Sequence, residues 1–152
     1  MIVTINTDAS FHPDHKIGAY AFWIKCNEGK ILQSGTFKEK VANSTEAEIK
    51  CIVNALHALF KSDFTGIKKV IINTDCLYFH SYQEKRKKRG TESREFAKIS
   101  TNLIKKYNLQ KGWIEIRHVK AHSGKNEARK WVNNWCDKTA KKLLREKIKP
   151  SI

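Results

Sequence analysis

Residues 69–75 read KVIINTD, a compact apolar run that begins with a lysine and ends in an acid. A continuous run of this kind, rich in β-branched residues, is typical of a strand buried in a parallel sheet. Residues 2–8 read IVTINTD and predict a first strand that runs out at Asn6-Thr7-Asp8. Both predicted strands therefore end in the same text, Thr-Asp, which places Asp8 and Asp75 at strand ends.

The remaining elements follow from hydrophobic periodicity. Apolar runs over residues 18–24 and 30–37 flank Asn27-Glu28-Gly29, a turn signal that predicts an antiparallel hairpin. Helical spacing predicts a first helix after residues 43–45 and later helices over 92–107 and from 126 to near 147, with a short helix over 76–83. A fifth strand is expected over residues 113–120. This order predicts an α/β fold with a mixed sheet.

The length of 152 residues favours one domain, which we expect over residues 1–148 with a short tail over 149–152. No window approaches the roughly 18 apolar residues of a membrane span. The first ten residues also lack the pattern of a signal peptide. We therefore expect a cytoplasmic protein with no membrane partner. We also expect it to be a monomer. The four scattered cysteines predict reduced thiols rather than a disulfide framework.

Charge is unevenly distributed along the chain, which has 30 basic and 15 acidic residues and a net charge of +15. Residues 1–80 hold 9 basic and 8 acidic residues, whereas residues 81–152 hold 21 basic and 7 acidic residues. A basic half beside a near-neutral half suggests a polyanionic partner. The run Lys85–Arg89 fits a solvated charge run at least as well as a specific nucleic-acid clamp.

Acidic residues that directly follow strands are candidates for a functional site, because α/β proteins bind ligands at the ends of their strands. Taken singly, Asp8 and Asp75 also fit turn formers or helix caps. At the start of the first helix, both Glu46 and Glu48 satisfy the capping-box pattern, and periodicity leaves open which of them caps the helix. In the last helix, Asp137 could pair with Lys141 four residues on or serve as a further functional carboxylate.

Residues 118–124 read HVKAHSG and contain two histidines. A zinc site on a helix is disfavoured because a strand precedes His122, and a Ser-His-Asp arrangement is disfavoured because the nucleophile-elbow motif is absent. Carboxylates that converge beside a basic surface suit a pair of divalent cations about 3.5–4 Å apart, which activate water at a phosphodiester. The acids therefore indicate metal-dependent phosphodiester chemistry more strongly than the histidines do.

Five motifs follow one another along the chain, and together they resemble type 1 ribonuclease H. The resemblance extends over nearly the whole sequence. They are TDAS at 7–10, AE at 47–48, NTD at 73–75, HVKAHSG at 118–124, and NNWCD at 133–137. The resemblance implies a ribonuclease H-like fold with a five-stranded mixed sheet in the order 3-2-1-4-5, flanked by helices. It also implies hydrolysis of the RNA strand of RNA/DNA hybrids with two Mg²⁺ ions, or Mn²⁺ in their place, giving 5′-phosphate and 3′-hydroxyl products.

The resemblance also implies roles for individual residues. Asp8 would bridge both metals, Glu48 and Asp75 would bind one of them, and Asp137 the other. His122 would assist proton transfer or product release. The resemblance also selects Glu48 rather than Glu46 as the catalytic glutamate. The residues implied at the hybrid are Ser10, Asn43, Ser44 and Thr45.

Two other interpretations of these residues compete with the ribonuclease. One is a related nuclease of the same fold, such as a junction resolvase or an integrase-like strand transferase, which the His122 loop followed by Asp137 argues against. The other is a catalytically inactive domain of this fold that binds duplexes through its basic half. The presence of all four acids weakens that interpretation.

Overall fold

A computed structural model of the chain describes residues 1–75, 91–119 and 127–148; the side chains of 91–93, 127–133 and 147–148 lie outside the description. The strands are β1 (Ile2–His12), β2 (Ile17–Cys26), β3 (Gly29–Thr36), β4 (Lys69–Thr74) and β5 (Ile114–His118). The helices are α1 (Ser44–Lys61), α2 (Thr91–Tyr107) and α3 (Glu127–Ile148). The helix expected over 76–83, the basic run 85–89 and the loop containing His122 lie outside the described residues.

The strands form a single mixed sheet in the order β3-β2-β1-β4-β5. The pairs β1–β2 and β2–β3 are antiparallel, whereas β1–β4 and β4–β5 are parallel. Cys26 pairs with Gly29 across the predicted hairpin turn. This topology confirms the five-stranded sheet and its strand order.

Strand β1 is longer than the sequence predicts. The expectation that it runs out at Asp8 is wrong, because β1 continues in register with β2 as far as His12, opposite Ile17. Its parallel ladder with β4 ends earlier, at the pair Asn6 and Asn73. The antiparallel partner keeps the strand extended after the parallel partner has ended, so Asp8 lies two residues beyond the parallel ladder.

The helices cover the two faces of the sheet. Helices α1 and α2 pack on one face, in a core whose fully buried members include Ile5, Phe22 and Leu56. Successive strand residues point to opposite faces, and Trp23, next to Phe22, contacts Trp135 of α3 edge-on at 6.0 Å. Helix α3 therefore covers the other face.

Helix α1 begins with a cap built from its own sequence. Asn43 is the N-cap, and its Oδ1 accepts a hydrogen bond from the Glu46 backbone N–H at 2.8 Å. The Glu46 carboxylate accepts from the Ala42 N–H at 3.0 Å and pairs with Lys50 at 3.5 Å. The assignment of Glu46 as the capping glutamate is confirmed, and Glu48 is left to point toward the sheet.

The described cysteines, Cys26, Cys51 and Cys136, are free thiols, as the scattered cysteine pattern predicts. Cys76 lies outside the described residues. Within residues 1–75, 91–119 and 127–148, no helix is both long enough and apolar enough to cross a membrane.

Two neighbouring residues of α2 test the core assignment. Leu103 is fully buried, whereas Ile104 is 39% exposed. We expect Leu103→Ala to lower the free energy of unfolding by about 2–5 kcal/mol, because it deletes buried methyl groups and leaves a cavity. Ile104→Ala, the matched control, is expected to cost less than about 1 kcal/mol. Urea denaturation of both variants measures this, and equal losses would contradict the packing described.

Candidate metal centre

The repeated text Asn-Thr-Asp brings two acids to one place. Asn6 and Asn73 are register partners in the parallel β1–β4 ladder. Their buried side chains are joined by a 3.2 Å hydrogen bond from Asn73 Nδ2 to Asn6 Oδ1. Asp8 and Asp75 each lie two residues further along, so the shared register carries both carboxylates to the same edge of the sheet.

Helix α1 adds a third carboxylate. Ligand oxygens of Asp8, Glu48 and Asp75 all lie within 4.8 Å of one another. The Glu48 side chain is buried, and its Oε1 accepts a hydrogen bond from the Ala9 backbone N–H at 3.0 Å. Asp8 Oδ1 lies 3.0 Å from the same N–H. One backbone donor therefore serves two carboxylates from separate elements.

Burial and the neighbouring negative charges both disfavour ionisation of these carboxylates. Burial, followed by the charges of Asp75 and Asp137, raises the pKa of Asp8 from 3.8 to about 8. Burial, followed by the charges of Asp75 and Asp8, raises the pKa of Glu48 well above its ordinary value. The Ala9 N–H opposes both shifts but does not offset them.

The acceptor atoms at this site fit a divalent cation. Glu48 Oε2 is buried and has no hydrogen-bond partner among the described residues. An unpaired acceptor inside a group of three carboxylates has one obvious complement, which is a positive charge. Clustered carboxylate oxygens are the ligands preferred by Mg²⁺, Mn²⁺ and Ca²⁺. Asp8, Glu48 and Asp75 could therefore hold such an ion.

Asp137 forms the ion pair that the sequence allows, and its role as a further functional carboxylate stays a prediction. Its carboxylate forms a 3.0 Å ion pair with Lys141, four residues on in α3. Its negative charge also helps to raise the pKa of Asp8. Asp137 lies outside the group whose oxygens are within 4.8 Å. It thus approaches the centre from the α3 side of the sheet.

The residues expected at a substrate lie around this edge. Ser10 follows Asp8 on β1 and is half-buried, and Asn43 and Ser44 are exposed at the start of α1, with Thr45 half-buried beside them. The Asn43 side chain is already engaged in capping. Their contacts with a substrate stay predictions, as does the role of His122, which lies outside the described residues.

Sequence reasoning missed a thiol at the centre. Cys51 Sγ lies 3.4 Å from the carbonyl oxygens of Asp8 and Ala21. Burial raises the pKa of this thiol well above its ordinary value, so it is protonated at neutral pH. The available signal was spacing: Cys51 lies three residues after Glu48, on the same face of the predicted helix.

Comparison with known proteins gives one family. The family model described as RNase H matches residues 1–145 of the chain. A search of curated proteins found no match.

Solved structures share the fold at low identity. One is LC11-RNase H1 in complex with an RNA/DNA hybrid, with a TM-score of 0.61 and 16% identity over 93% of this chain and 99% of that one. A second structure of LC11-RNase H1, isolated from compost by a metagenomic approach, has a TM-score of 0.59 and 17% identity over 93% and 97% of the two chains. RNase H1 from the halophilic archaeon Halobacterium salinarum NRC-1 has a TM-score of 0.59 and 16% identity over 96% and 99%. Because the family model spans almost the whole chain and the sheet agrees with these structures, the chain belongs to the RNase H family of ribonucleases.

Proposed function

We propose that this protein is an endoribonuclease that hydrolyses the RNA strand of RNA/DNA hybrids and leaves 5′-phosphate and 3′-hydroxyl ends. The observation that carries the proposal is the convergence of the Asp8, Glu48 and Asp75 oxygens within 4.8 Å in a member of the RNase H family. Two further observations support it. A neighbour of the same fold was solved with an RNA/DNA hybrid, and the net charge of +15 suits a polyanion.

The carboxylates would hold two Mg²⁺ ions, with Mn²⁺ as the alternative. When bound, such a pair supplies an activated water and stabilises the leaving oxygen of the phosphodiester. In this proposal Asp8 would help to hold both ions, Glu48 and Asp75 would help to hold one of them, and Asp137 the other. Asp8 lies between the α1 side, where Glu48 accepts from Ala9, and the α3 side, where Asp137 approaches it.

The chain's own groups prepare this arrangement before any cation arrives. The Ala9 N–H orients Asp8 and Glu48 together, so little rearrangement is required on binding. In the proposal His122 assists proton transfer or product release. The residues proposed to contact the hybrid are Ser10, Asn43, Ser44 and Thr45. Contact with a ribose 2′-hydroxyl is how such residues would distinguish RNA from DNA.

The alternative of an idle duplex-binding domain explains the basic half but not the centre. Burying carboxylates close together is unfavourable unless a partner compensates them. A domain that only binds duplexes has no use for this arrangement. A resolvase-like nuclease of this fold would need the same acids and is therefore a rival to the proposal. A cleavage assay that compares substrates distinguishes the two functions. The cytoplasmic location, the monomeric state and the single domain over residues 1–148 stay predictions.

We expect the purified protein with Mg²⁺ to cut the RNA of a labelled hybrid and to spare a DNA duplex of the same sequence. Asp8→Asn and Asp75→Asn are each expected to lower the rate by at least about 100-fold, the scale seen when a group stabilising transition-state charge is removed. Both variants should still bind the hybrid in a filter-binding or anisotropy assay. Cleavage that persists in either variant would refute the assignment of that acid, and no cleavage by the wild type with Mg²⁺ or Mn²⁺ would refute the proposed function.

The two glutamates of α1 form a matched pair for a second test. Glu48→Gln should abolish most activity, because its buried carboxylate faces Asp8 and Asp75. Glu46→Gln should keep activity within about threefold, because glutamine can still accept from Ala42 and a surface ion pair contributes about 0–1 kcal/mol. Steady-state cleavage rates measure both, and the reverse ranking would overturn the choice of Glu48.

The raised pKa of Asp8 predicts a pH dependence of stability without metal. The folded protein holds this proton up to about pH 8, whereas the unfolded chain releases it near 3.8. Between these values the folded state binds more protons, so its free energy of unfolding falls as the pH rises. We expect urea denaturation in EDTA to show this decline in the wild type and a shallower one in Asp8→Asn.

Asp14→Asn, in the exposed turn after β1, is the control and should follow the wild type. Addition of Mg²⁺ at pH 8 should restore stability to the wild type more than to Asp8→Asn, because a cation compensates the charge that burial disfavours. Parallel pH curves for the wild type and Asp8→Asn would contradict the buried environment described for this carboxylate.

A further inference from the structure

We propose that Cys51 is a positioning residue of the metal centre: together with Glu48, it holds the peptide group that joins Asp8 to Ala9 and thereby orients the Asp8 carboxylate. This inference deepens the proposed function and rests on it in one respect, which is that the carboxylate centre binds divalent cations. Cys51 would not touch the substrate or the cation. It would act through the backbone of Asp8.

Two side chains of α1 contact opposite ends of one peptide group. Glu48 Oε1 accepts from the Ala9 N–H at 3.0 Å, and Cys51 Sγ lies 3.4 Å from the Asp8 carbonyl oxygen, to which the thiol can only donate. That N–H and that carbonyl belong to the same planar unit. Glu48 and Cys51 are three residues apart and so lie on one face of the helix. The helix therefore fixes both polar groups of this peptide.

The contact lies at a position along β1 where the sheet gives the strand less support. The parallel ladder with β4 ends at Asn6, so β1 has lost one of its two neighbouring strands when it reaches Asp8. On the remaining side, Asp8 is the register partner of Ala21 in β2. Cys51 Sγ lies 3.4 Å from the Ala21 carbonyl oxygen as well. The single S–H of Cys51 thus has both carbonyl oxygens, one on each strand, within donating distance at the level of Asp8, where β4 no longer pairs with β1.

Orientation of this peptide controls the carboxylate directly. Asp8 Oδ1 lies 3.0 Å from the same Ala9 N–H that Glu48 accepts from. A rotation of the peptide would move that donor away from both carboxylates. Three interactions therefore depend on the orientation of this peptide. Asp8 and Glu48 contact its N–H, and Cys51 contacts its carbonyl oxygen.

The test compares Cys51→Ala, which removes the donor, with Cys51→Ser, which replaces it by a hydroxyl. Val53→Ala is the matched control, because Val53 is a buried residue of the same helix with 2% exposure. The first readout is the Mg²⁺ concentration that gives half of the metal-dependent rise in unfolding temperature. The second is hydrogen exchange of the Ala9 amide in the metal-free protein, compared with other amides of β1.

We expect Cys51→Ala to raise the half-saturating Mg²⁺ concentration by about threefold or more, the scale expected for loss of one neutral hydrogen bond. It should also accelerate exchange at Ala9 more than at the other β1 amides. Cys51→Ser should return both readouts toward the wild type. Val53→Ala should lower stability without a change in either readout.

Three results would overturn the inference: Cys51→Ala matching Val53→Ala in both readouts, Cys51→Ser matching Cys51→Ala, or a wild type whose stability does not respond to Mg²⁺. Hybrid cleavage separates this inference from the proposed function. A wild type that binds Mg²⁺ and shows the Cys51 pattern but cuts no hybrid would refute the ribonuclease proposal alone. A wild type that cuts hybrid but lacks the pattern would refute the role of Cys51 alone.

Discussion

The parallel register of β1 and β4 is the constraint from which the site follows. Asn6 stands opposite Asn73, and a buried hydrogen bond joins their side chains. Each asparagine is followed by Thr-Asp, so this one pairing carries Asp8 and Asp75 to the same sheet edge. A slip of one residue would turn one of the two acids toward the opposite face. The buried amide pair opposes such a slip, because a shifted register would leave both side chains without that partner.

The centre obtained in this way is electrostatically unfavourable by itself. Burial and mutual repulsion raise the pKa of Asp8 and of Glu48, and the Ala9 N–H compensates only part of this. Proteins commonly retain destabilising groups at functional sites, because the function depends on those groups. Here the same unfavourable charge is what makes a divalent cation a strong complement. The core beneath α1 and the contacts of Glu48 and Cys51 with the peptide between Asp8 and Ala9 surround these acids.

Much of the architecture was accessible from local patterns. Periodicity and turn signals placed the strands, and the hairpin after Cys26 and the helix start at Asn43 were recognisable from a few residues. The capping pattern admitted both Glu46 and Glu48, and only the resemblance to ribonuclease H separated them before the structure showed Glu46 bonded to Ala42. The end of β1 was misplaced because its extension depends on pairing with β2, which no local pattern reports. Cys51 was overlooked because a cysteine in an apolar helix stripe looks like ordinary core.

By itself, the sequence determined which acids are candidates for the chemistry, the order of elements that builds a mixed sheet, and the charge that suits a polyanion. These depend on residue type and on spacing over a few positions, which periodicity reports directly. Only the tertiary structure decided that Asp8, Glu48 and Asp75 converge, that Ala9 serves two carboxylates and that Cys51 bridges Asp8 and Ala21. Ala9 and Glu48 are 39 residues apart, and Asn6 and Asn73 are 67 apart. Distances between such residues are set by how the helix packs on the sheet and by strand register, and these in turn set the burial that shifts each pKa.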